Sequence, residues 1–155
     1  MELDKAKLIA EEAKAKLLPY CERIEIAGSI RRKKPFVHDI DMVCIPSNQG
    51  QFIRQLQEMG KIEMGGQKLI RCSLSEISLD IYIATSETWA TLLLIRTGSA
   101  RHNIMLCSRA KRLGMKLHAD GTGITKYGEN LATIQSEQDI YSTLSMKFEE
   151  PEQRD

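Results

Sequence analysis

The stretch AGSIRRKKPFVHDIDMVCIP, residues 27–46, joins a strongly basic first half to an apolar second half that contains two aspartates. The second half has the pattern of a buried strand that ends at Pro46. Asp39 and Asp41 are two residues apart, so on a strand they project from the same face. Burial of two adjacent carboxylates without a counter-charge raises the pKa of one of them. A divalent cation such as Mg²⁺ removes this penalty, because it binds carboxylate, water and phosphate oxygens.

A third carboxylate lies in the later strand-like run EISLDIYIA, residues 76–84. The aliphatic residues of this run share one face, and Asp80 lies on the other. If the two strands are neighbours, the three carboxylates converge and can hold two metals about 3.5–4 Å apart, as in phosphoryl transfer. The alternative is that the aspartate pair forms structural salt bridges with Arg31 and Arg32.

The residues before the aspartates are suited to binding a phosphate. Gly28 and Ser29 follow a short strand and open a turn, where glycine permits close approach of the backbone and serine can donate a hydrogen bond. A guanidinium such as that of Arg32 can bind two oxygens of a triphosphate. The alternatives are an ordinary turn and a solvated surface arginine.

Composition limits the class of protein. A length of 155 residues allows one compact domain or two small lobes. The four cysteines form no CxxC pair, which indicates reduced core residues in a cytoplasmic protein. The charged start of the chain and the lack of a long apolar run predict neither a signal peptide nor a membrane span. Residues 91–118 contain six basic residues and no acidic one, which indicates contact with a polyanion.

The hydrophobic pattern predicts an α+β fold. We expect an α+β lobe over residues 1–84 and a smaller, mainly helical lobe over 85–155. The predicted helices are one capped by Asp4 and running to Leu18, 49–59 closed by Gly60, one from Thr85 or Ser86 to Arg96, 100–113, and a short one capped by Ser136. The predicted strands are 23–28, 39–45, 67–74 and 76–84, with a hairpin turning at Asp120-Gly121.

Taken together, the motifs resemble those of the family X DNA polymerases, the group that contains DNA polymerase beta. The resemblance rests on Gly28-Ser29, which is followed after nine residues by Asp39-Ile40-Asp41, and on a later Asp80. It also rests on the tandem Arg31-Arg32 and on the stretch TGSARHN at 97–103. The resemblance covers roughly residues 10–155. It implies a nucleotidyltransferase palm with a mixed β-sheet flanked by helices, followed by a thumb-like domain.

The resemblance also implies a role for each matching residue. Asp39, Asp41 and Asp80 would be the catalytic metal ligands for two Mg²⁺ ions, with Mn²⁺ as a substitute. Asp80 would also help to deprotonate or orient a primer 3′-hydroxyl. The implied nucleotide-binding residues are Gly28, Ser29, Arg32, His38, Thr97, Gly98, Ser99 and Asn103. The DNA-binding residues expected on helix 100–113 are Arg101, Arg109, Lys111 and Arg112.

The implied activity is transfer of nucleotides from nucleoside triphosphates to the 3′-end of primer/template or gapped DNA, with release of pyrophosphate, in short-gap repair. We expect a minimal monomeric palm-plus-thumb enzyme without lyase activity and with weak, salt-sensitive DNA binding. Two other hypotheses remain. One is a nucleotidyltransferase acting on RNA ends, a protein or a small molecule, and the other is a non-enzymatic nucleic-acid-binding module.

Several positions depart from the family pattern. His38 replaces the usual glycine before the first aspartate, and it either contacts the triphosphate or metals or faces solvent at the strand edge. Ile95-Arg96 replaces an aromatic pair, which weakens the case for discrimination between ribose and deoxyribose. Ser78 stands where a basic residue is common, and Cys107 replaces a template-contacting arginine, which predicts low fidelity.

Overall fold

The computed structural model describes residues 1–131 and 133–155. The helices in this part of the chain are α1 Leu3–Leu17, α2 Gly28–Arg31, α3 Gln49–Met59, α4 Trp89–Thr97, α5 Ala100–Arg112 and α6 Glu137–Thr143. The strands are β1 Cys21–Ile26, β2 Asp39–Pro46, β3 Lys61–Gly65, β4 Leu69–Ser73, β5 Ser78–Ile83, β6 Lys116–His118, β7 Gly123–Lys126 and β8 Glu129–Asn130. Among the described helices, none combines the length and apolar character that a membrane span requires.

The larger sheet has five strands in the order β1-β2-β5-β4-β3. Strands β2 and β5 are parallel, while the other neighbouring pairs are antiparallel. A parallel pair needs a crossover connection, and here α3, β3 and β4 supply it. The predicted α+β fold with a mixed sheet is therefore confirmed, and the parallel pair is the one that carries the aspartates.

Helices α1 and α3 cover one face of this sheet. Helix α1 buries a face of small residues, Ala6, Ala10 and Ala13, and α3 adds Phe52 and Leu56 to the same core. The bounds of α3 match the prediction. Helix α1 differs, because it begins at Leu3 and no side chain caps it. The main chain serves instead: the Leu3 N–H donates to the Pro35 carbonyl at 3.0 Å, so capping by Asp4 is not needed and that prediction was wrong.

Helix α4 packs on the opposite face of the sheet, which is the face of the aspartates. Its Trp89, Leu92 and Leu93 pack with Val43, two residues beyond Asp41 on β2. The helix begins at Trp89, later than predicted. Thr85 and Thr88 close a local turn ahead of it, in which the Thr85 N–H donates to Thr88 Oγ1 at 2.9 Å.

The rest of the chain combines α5 and α6 with a three-stranded sheet in the order β6-β7-β8. The hairpin predicted at Asp120-Gly121 joins β6 to β7. The capping of α6 by Ser136 is also confirmed, and Asp139 completes a reciprocal capping box. Two strands were not predicted: β3, which is mostly exposed and so has no apolar alternation, and β8, which has only two residues.

A buried ion cluster joins α2 to α6 and to the last residues of the chain. Glu137 accepts two hydrogen bonds from Arg31, at 2.6 and 2.8 Å, and one from Arg154 at 2.7 Å. The Arg154 side chain is fully buried. The cluster fixes the position of α2, which carries the Gly28-Ser29 pair, relative to α6.

Candidate active site

The parallel register of β2 and β5 places two carboxylates side by side. Asp41 lies directly opposite Asp80, and Asp39 lies opposite Ser78. Burial increases across the group: Asp39 is exposed, Asp41 is half-buried and Asp80 is 4% exposed. The structure thus places Asp41 and Asp80 side by side, with Asp39 two residues before Asp41 at the exposed start of the same strand.

The aspartates are crowded by their own negative charges. Burial, followed by the charges of Asp80 and Asp39, raises the pKa of Asp41 to about 7, although Arg96 and Arg32 oppose the shift. The local positive charge is therefore too small to keep Asp41 fully ionised near neutral pH. A set of carboxylate oxygens with excess negative charge fits Mg²⁺, which prefers such donors.

Gly28 allows α2 to approach this group closely. Its backbone has a φ of +61°, and a Cβ at this position would lie 2.1 Å from Oδ2 of Asp41. A side chain at residue 28 would therefore collide with the carboxylate. Ser29 follows in a single helical turn rather than in an open turn, and it lines the same cleft.

The two tandem arginines have different partners. Arg32 Nη1 donates to the Thr97 carbonyl at 2.5 Å, and its Nε is buried without a hydrogen-bond partner among the described residues. Arg31 binds Glu137 and the Thr97 hydroxyl. In the described part of the chain neither arginine forms a salt bridge with Asp39 or Asp41, so the alternative of structural salt bridges was wrong.

The Thr97–Asn103 segment forms the opposite wall of the site. Thr97 is fully buried, and Gly98, with a φ of +71°, precedes a cis peptide bond to Ser99. Ser99 caps α5 by accepting from the His102 N–H at 3.2 Å. The Asn103 amide donates to the Ile95 carbonyl at 2.8 Å. The Thr97 and Ser99 side chains thus hold the turn together.

A cleft of about 570 Å³ lies between these elements. Its lining includes nine of the predicted residues: Gly28, Ser29, Arg32, His38, Asp39, Asp41, Thr97, Gly98 and Asn103. Ser99 and Asp80 do not line it. His38 is exposed at its edge. A second cleft of about 590 Å³, between Glu87 and Gln135, is lined by no aspartate or arginine of the described residues, and we therefore place the chemistry in the first.

Two arginines near the aspartates were not predicted. Arg71 on β4 binds both carboxylate oxygens of Asp80, with Nε–Oδ1 and Nη2–Oδ2 distances of 2.7 and 3.1 Å. Arg96 lines the cleft, and its guanidinium lies 4.0 Å from the centre of the Tyr82 ring. A charged residue within the apolar run of α4 was a usable signal for Arg96. Arg71 gave no such signal, because its role depends on the strand register.

The basic residues of α5 fall into two groups. Arg101, Lys111 and Arg112 are exposed. Arg109 instead donates to the carbonyls of Leu144 and Ser145, at 3.0 and 3.4 Å. It therefore binds the carboxyl end of α6, where backbone acceptors have no helical partner.

The carboxylates are not arranged as a finished metal site. Within residues 1–131 and 133–155, no three His, Cys, Asp or Glu side chains are grouped closely enough to hold a metal ion. Both oxygens of Asp80 face Arg71. The donor type, the excess charge and the close approach of Gly28 nevertheless fit a divalent cation.

Comparisons with known proteins agree on one family. The family described as DNA polymerase beta thumb matches residues 92–155. The DNA polymerase/3′-5′ exonuclease PolX of Bacillus subtilis is 30% identical over 155 aligned positions, which cover 95% of this chain. The polymerase beta of Leishmania infantum, solved as a ternary P/T complex, superimposes with a TM-score of 0.83 at 21% identity.

This is a family X polymerase-like chain. The structural match covers all of it and 76% of the Leishmania protein, and shows that the fold is shared. The chain spans about a quarter of the Bacillus protein, 27% of its length. The family resemblance suggested by Gly28-Ser29, the aspartates and the TGS turn is thus confirmed, together with its palm-plus-thumb fold.

Proposed function

We propose that this chain is a metal-dependent DNA polymerase of family X that adds nucleotides to a primer 3′-hydroxyl and fills short gaps in DNA repair. The observation that carries the proposal is the register of β2 and β5, which sets the buried Asp80 beside Asp41. Asp41 lines a cleft that also contains Arg32. Acidic metal ligands next to a cationic phosphate site are what nucleotidyl transfer requires.

Asp39, Asp41 and Asp80 would hold two Mg²⁺ ions, or Mn²⁺ in their place. When bound, these ions would offset the charge of the phosphates and activate the attacking hydroxyl. Asp80, which is the most buried of the three, would orient the 3′-hydroxyl. Its pairing with Arg71 must change for this role.

The triphosphate would lie against α2. The Ser29 hydroxyl can donate to its oxygens, and the unpartnered Nε of Arg32 is a buried donor at the same wall. His38, which is exposed and lines the same cleft, would contact the triphosphate from the edge. Charge-assisted donation by these groups would stabilise the negative charge that develops on the phosphates.

The sugar and base would contact the Thr97–Asn103 segment. The backbone around Gly98 and Ser99 would pack against the sugar, because the Thr97 and Ser99 side chains are used within the turn. Asn103 can reach an incoming base only if its amide leaves the Ile95 carbonyl. Of the α5 cations, the exposed Arg101, Lys111 and Arg112 are suited to DNA phosphates, whereas Arg109 would first have to leave α6.

Other features belong to the same proposal. We divide the chain into a palm at 1–84 and a thumb-like domain at 85–155, supported by a first sheet that ends at Ile83 and a thumb match that begins at residue 92. We also propose a monomer that works in the cytoplasm. The four unpaired cysteines agree with a reducing compartment.

The test is incorporation of a labelled nucleotide into DNA with a one-nucleotide gap, with Mg²⁺ or Mn²⁺. Asp41→Ala is expected to lower the rate by at least about a hundredfold, since it removes a ligand of the ions that would offset the charge of the transferred phosphate. Asp4→Ala, at an exposed position on α1, is the matched control and should keep the rate. An inactive wild type, or an active Asp41→Ala variant, would overturn the proposal.

A reaction without DNA separates the alternative substrates. The chain is incubated with labelled nucleotides and with RNA, or alone, and products are sought on RNA ends and on protein. Label on these products but not on gapped DNA would replace the polymerase by a nucleotidyltransferase of another substrate class.

A further inference from the structure

Arg71 forms the closest ion pair of the candidate site. It stands directly opposite Asp80 in the antiparallel pairing of β4 with β5. Its guanidinium binds both oxygens of the carboxylate, in the two-point geometry that makes such pairs strong. The Asp80 side chain is 6% exposed, whereas that of Arg71 is 44% exposed. The carboxylate is therefore fixed in the sheet, and the arginine has room to move into solvent.

The same carboxylate has an anionic neighbour on its other side. Asp41 on β2 lies opposite Asp80, so the latter stands between a cation on β4 and an anion on β2. Any divalent cation bound by Asp41 and Asp80 would bring a second positive charge to the oxygens that Arg71 now holds. Two cations cannot share these oxygens without mutual repulsion, so binding of the metal and binding of Arg71 oppose each other.

We propose that Arg71 is a positioning residue that occupies Asp80 in the metal-free protein and releases it when a divalent cation binds. The arginine supplies the positive charge that keeps a buried carboxylate stable before the metal arrives. The inference rests on the proposed function, because it takes Asp41 and Asp80 as the metal ligands. A purely structural salt bridge between β4 and β5 would have no effect on metal affinity.

The test measures Mn²⁺ binding to the full chain without DNA or nucleotide, by the loss of the electron paramagnetic resonance signal of free Mn²⁺. Arg71→Gln is expected to bind Mn²⁺ about three- to tenfold more tightly than the wild type. Arg54→Gln, an exposed arginine on α3, is the matched control and should match the wild type. Equal or weaker Mn²⁺ binding by Arg71→Gln would overturn the proposal.

Thermal unfolding in EDTA and in Mn²⁺ gives a second readout. In EDTA the Arg71→Gln variant should have a lower melting temperature than the wild type, because Asp80 has lost its counter-charge. Addition of Mn²⁺ should raise the melting temperature of the variant more than that of the wild type. If the melting temperature of Arg71→Gln lies below that of the wild type by the same amount in EDTA and in Mn²⁺, the pair is a structural salt bridge and the proposal is contradicted. Arg71→Lys keeps the charge without the two-point contact, and it should bind Mn²⁺ with an affinity between those of the wild type and Arg71→Gln.

Asp41→Ala distinguishes the failure of this inference from the failure of the proposed function. If Asp41→Ala abolishes Mn²⁺ binding but Arg71→Gln leaves it unchanged, the metal site stands and the role of Arg71 is refuted. If Asp41→Ala binds Mn²⁺ as the wild type does, the aspartates are not the ligands and both proposals fail.

Discussion

Replacement of Glu137 by glutamine is expected to lower the free energy of unfolding by about 3–5 kcal/mol, the loss typical of a broken buried ion pair. The Oε2 atom accepts from both Arg31 and Arg154, and Oε1 accepts from Arg31. A glutamine would turn its NH₂ group toward a guanidinium donor on one side. The substitution also removes the negative charge that balances the fully buried Arg154 side chain.

The measurement is urea denaturation at pH 7, followed by circular dichroism. The matched control is Glu152→Gln, which removes an exposed pair with Lys33 whose side chains are 44% and 68% exposed. This control should cause no measurable change, because exposed pairs contribute little. A loss for Glu137→Gln no larger than that of the control would refute the assignment of Glu137 as a buried anchor.

The pH dependence of the same variant provides an independent check. Burial alone would raise the pKa of Glu137, but hydrogen bonds from Arg31 and Arg154 outweigh it and lower the pKa below its ordinary value of 4.5. The folded state thus holds its proton less tightly than the unfolded state. The contribution of Glu137 is therefore complete above pH 4.5 and is lost as the pH falls through the folded value. The stability gap between wild type and Glu137→Gln should narrow below pH 4.5.

Three further predictions address other parts of the chain. Burial lowers the pKa of His102 from 6.5, so the free energy of unfolding of the wild type should decrease as the pH falls below about 6.5. His102→Gln should flatten this decrease in urea titrations, and an unchanged pH dependence would contradict the assignment. Gly28→Ala should lower the free energy of unfolding by more than about 1 kcal/mol, since its Cβ meets Asp41, whereas Gly50→Ala in α3 should raise it by about 0.5–1 kcal/mol. Lys111→Gln should reduce by about 0.9 the steepness with which the logarithm of the association constant for duplex DNA falls with the logarithm of the salt concentration. Binding is measured by fluorescence anisotropy, and an unchanged salt dependence would exclude this phosphate contact.

Local patterns in the sequence were sufficient for most of the fold. The alternation in 76–84, the bounds of α3 at Gln49–Met59 and the capping box at Ser136 each depend on residues close in sequence. The pattern failed where the deciding contact was not local. The start of α1 depends on the Pro35 carbonyl, and β3 is held by pairing with β4 rather than by a buried face.

The candidate site divides in the same way. Gly28, Asp39 and Asp41 fall within one short stretch, so their spacing alone was informative. The partners of the charged groups come from other elements: Arg71 reaches Asp80 from a neighbouring strand, and Arg31 meets Glu137, 106 residues away. Register and packing between elements determine these pairs, and neither quantity can be calculated from periodicity.

The two buried charge clusters show how a structural site differs from a binding site in this protein. Around Glu137, two guanidiniums satisfy one carboxylate, and its pKa is lowered. Around Asp41, Arg71 is paired with Asp80, and only Arg96 and Arg32 act on Asp41 from a distance, so the pKa of Asp41 is raised to about 7. The first cluster needs nothing more to be stable. The second is short of positive charge at neutral pH, and because it opens into a cleft, a soluble cation can supply what the fold does not.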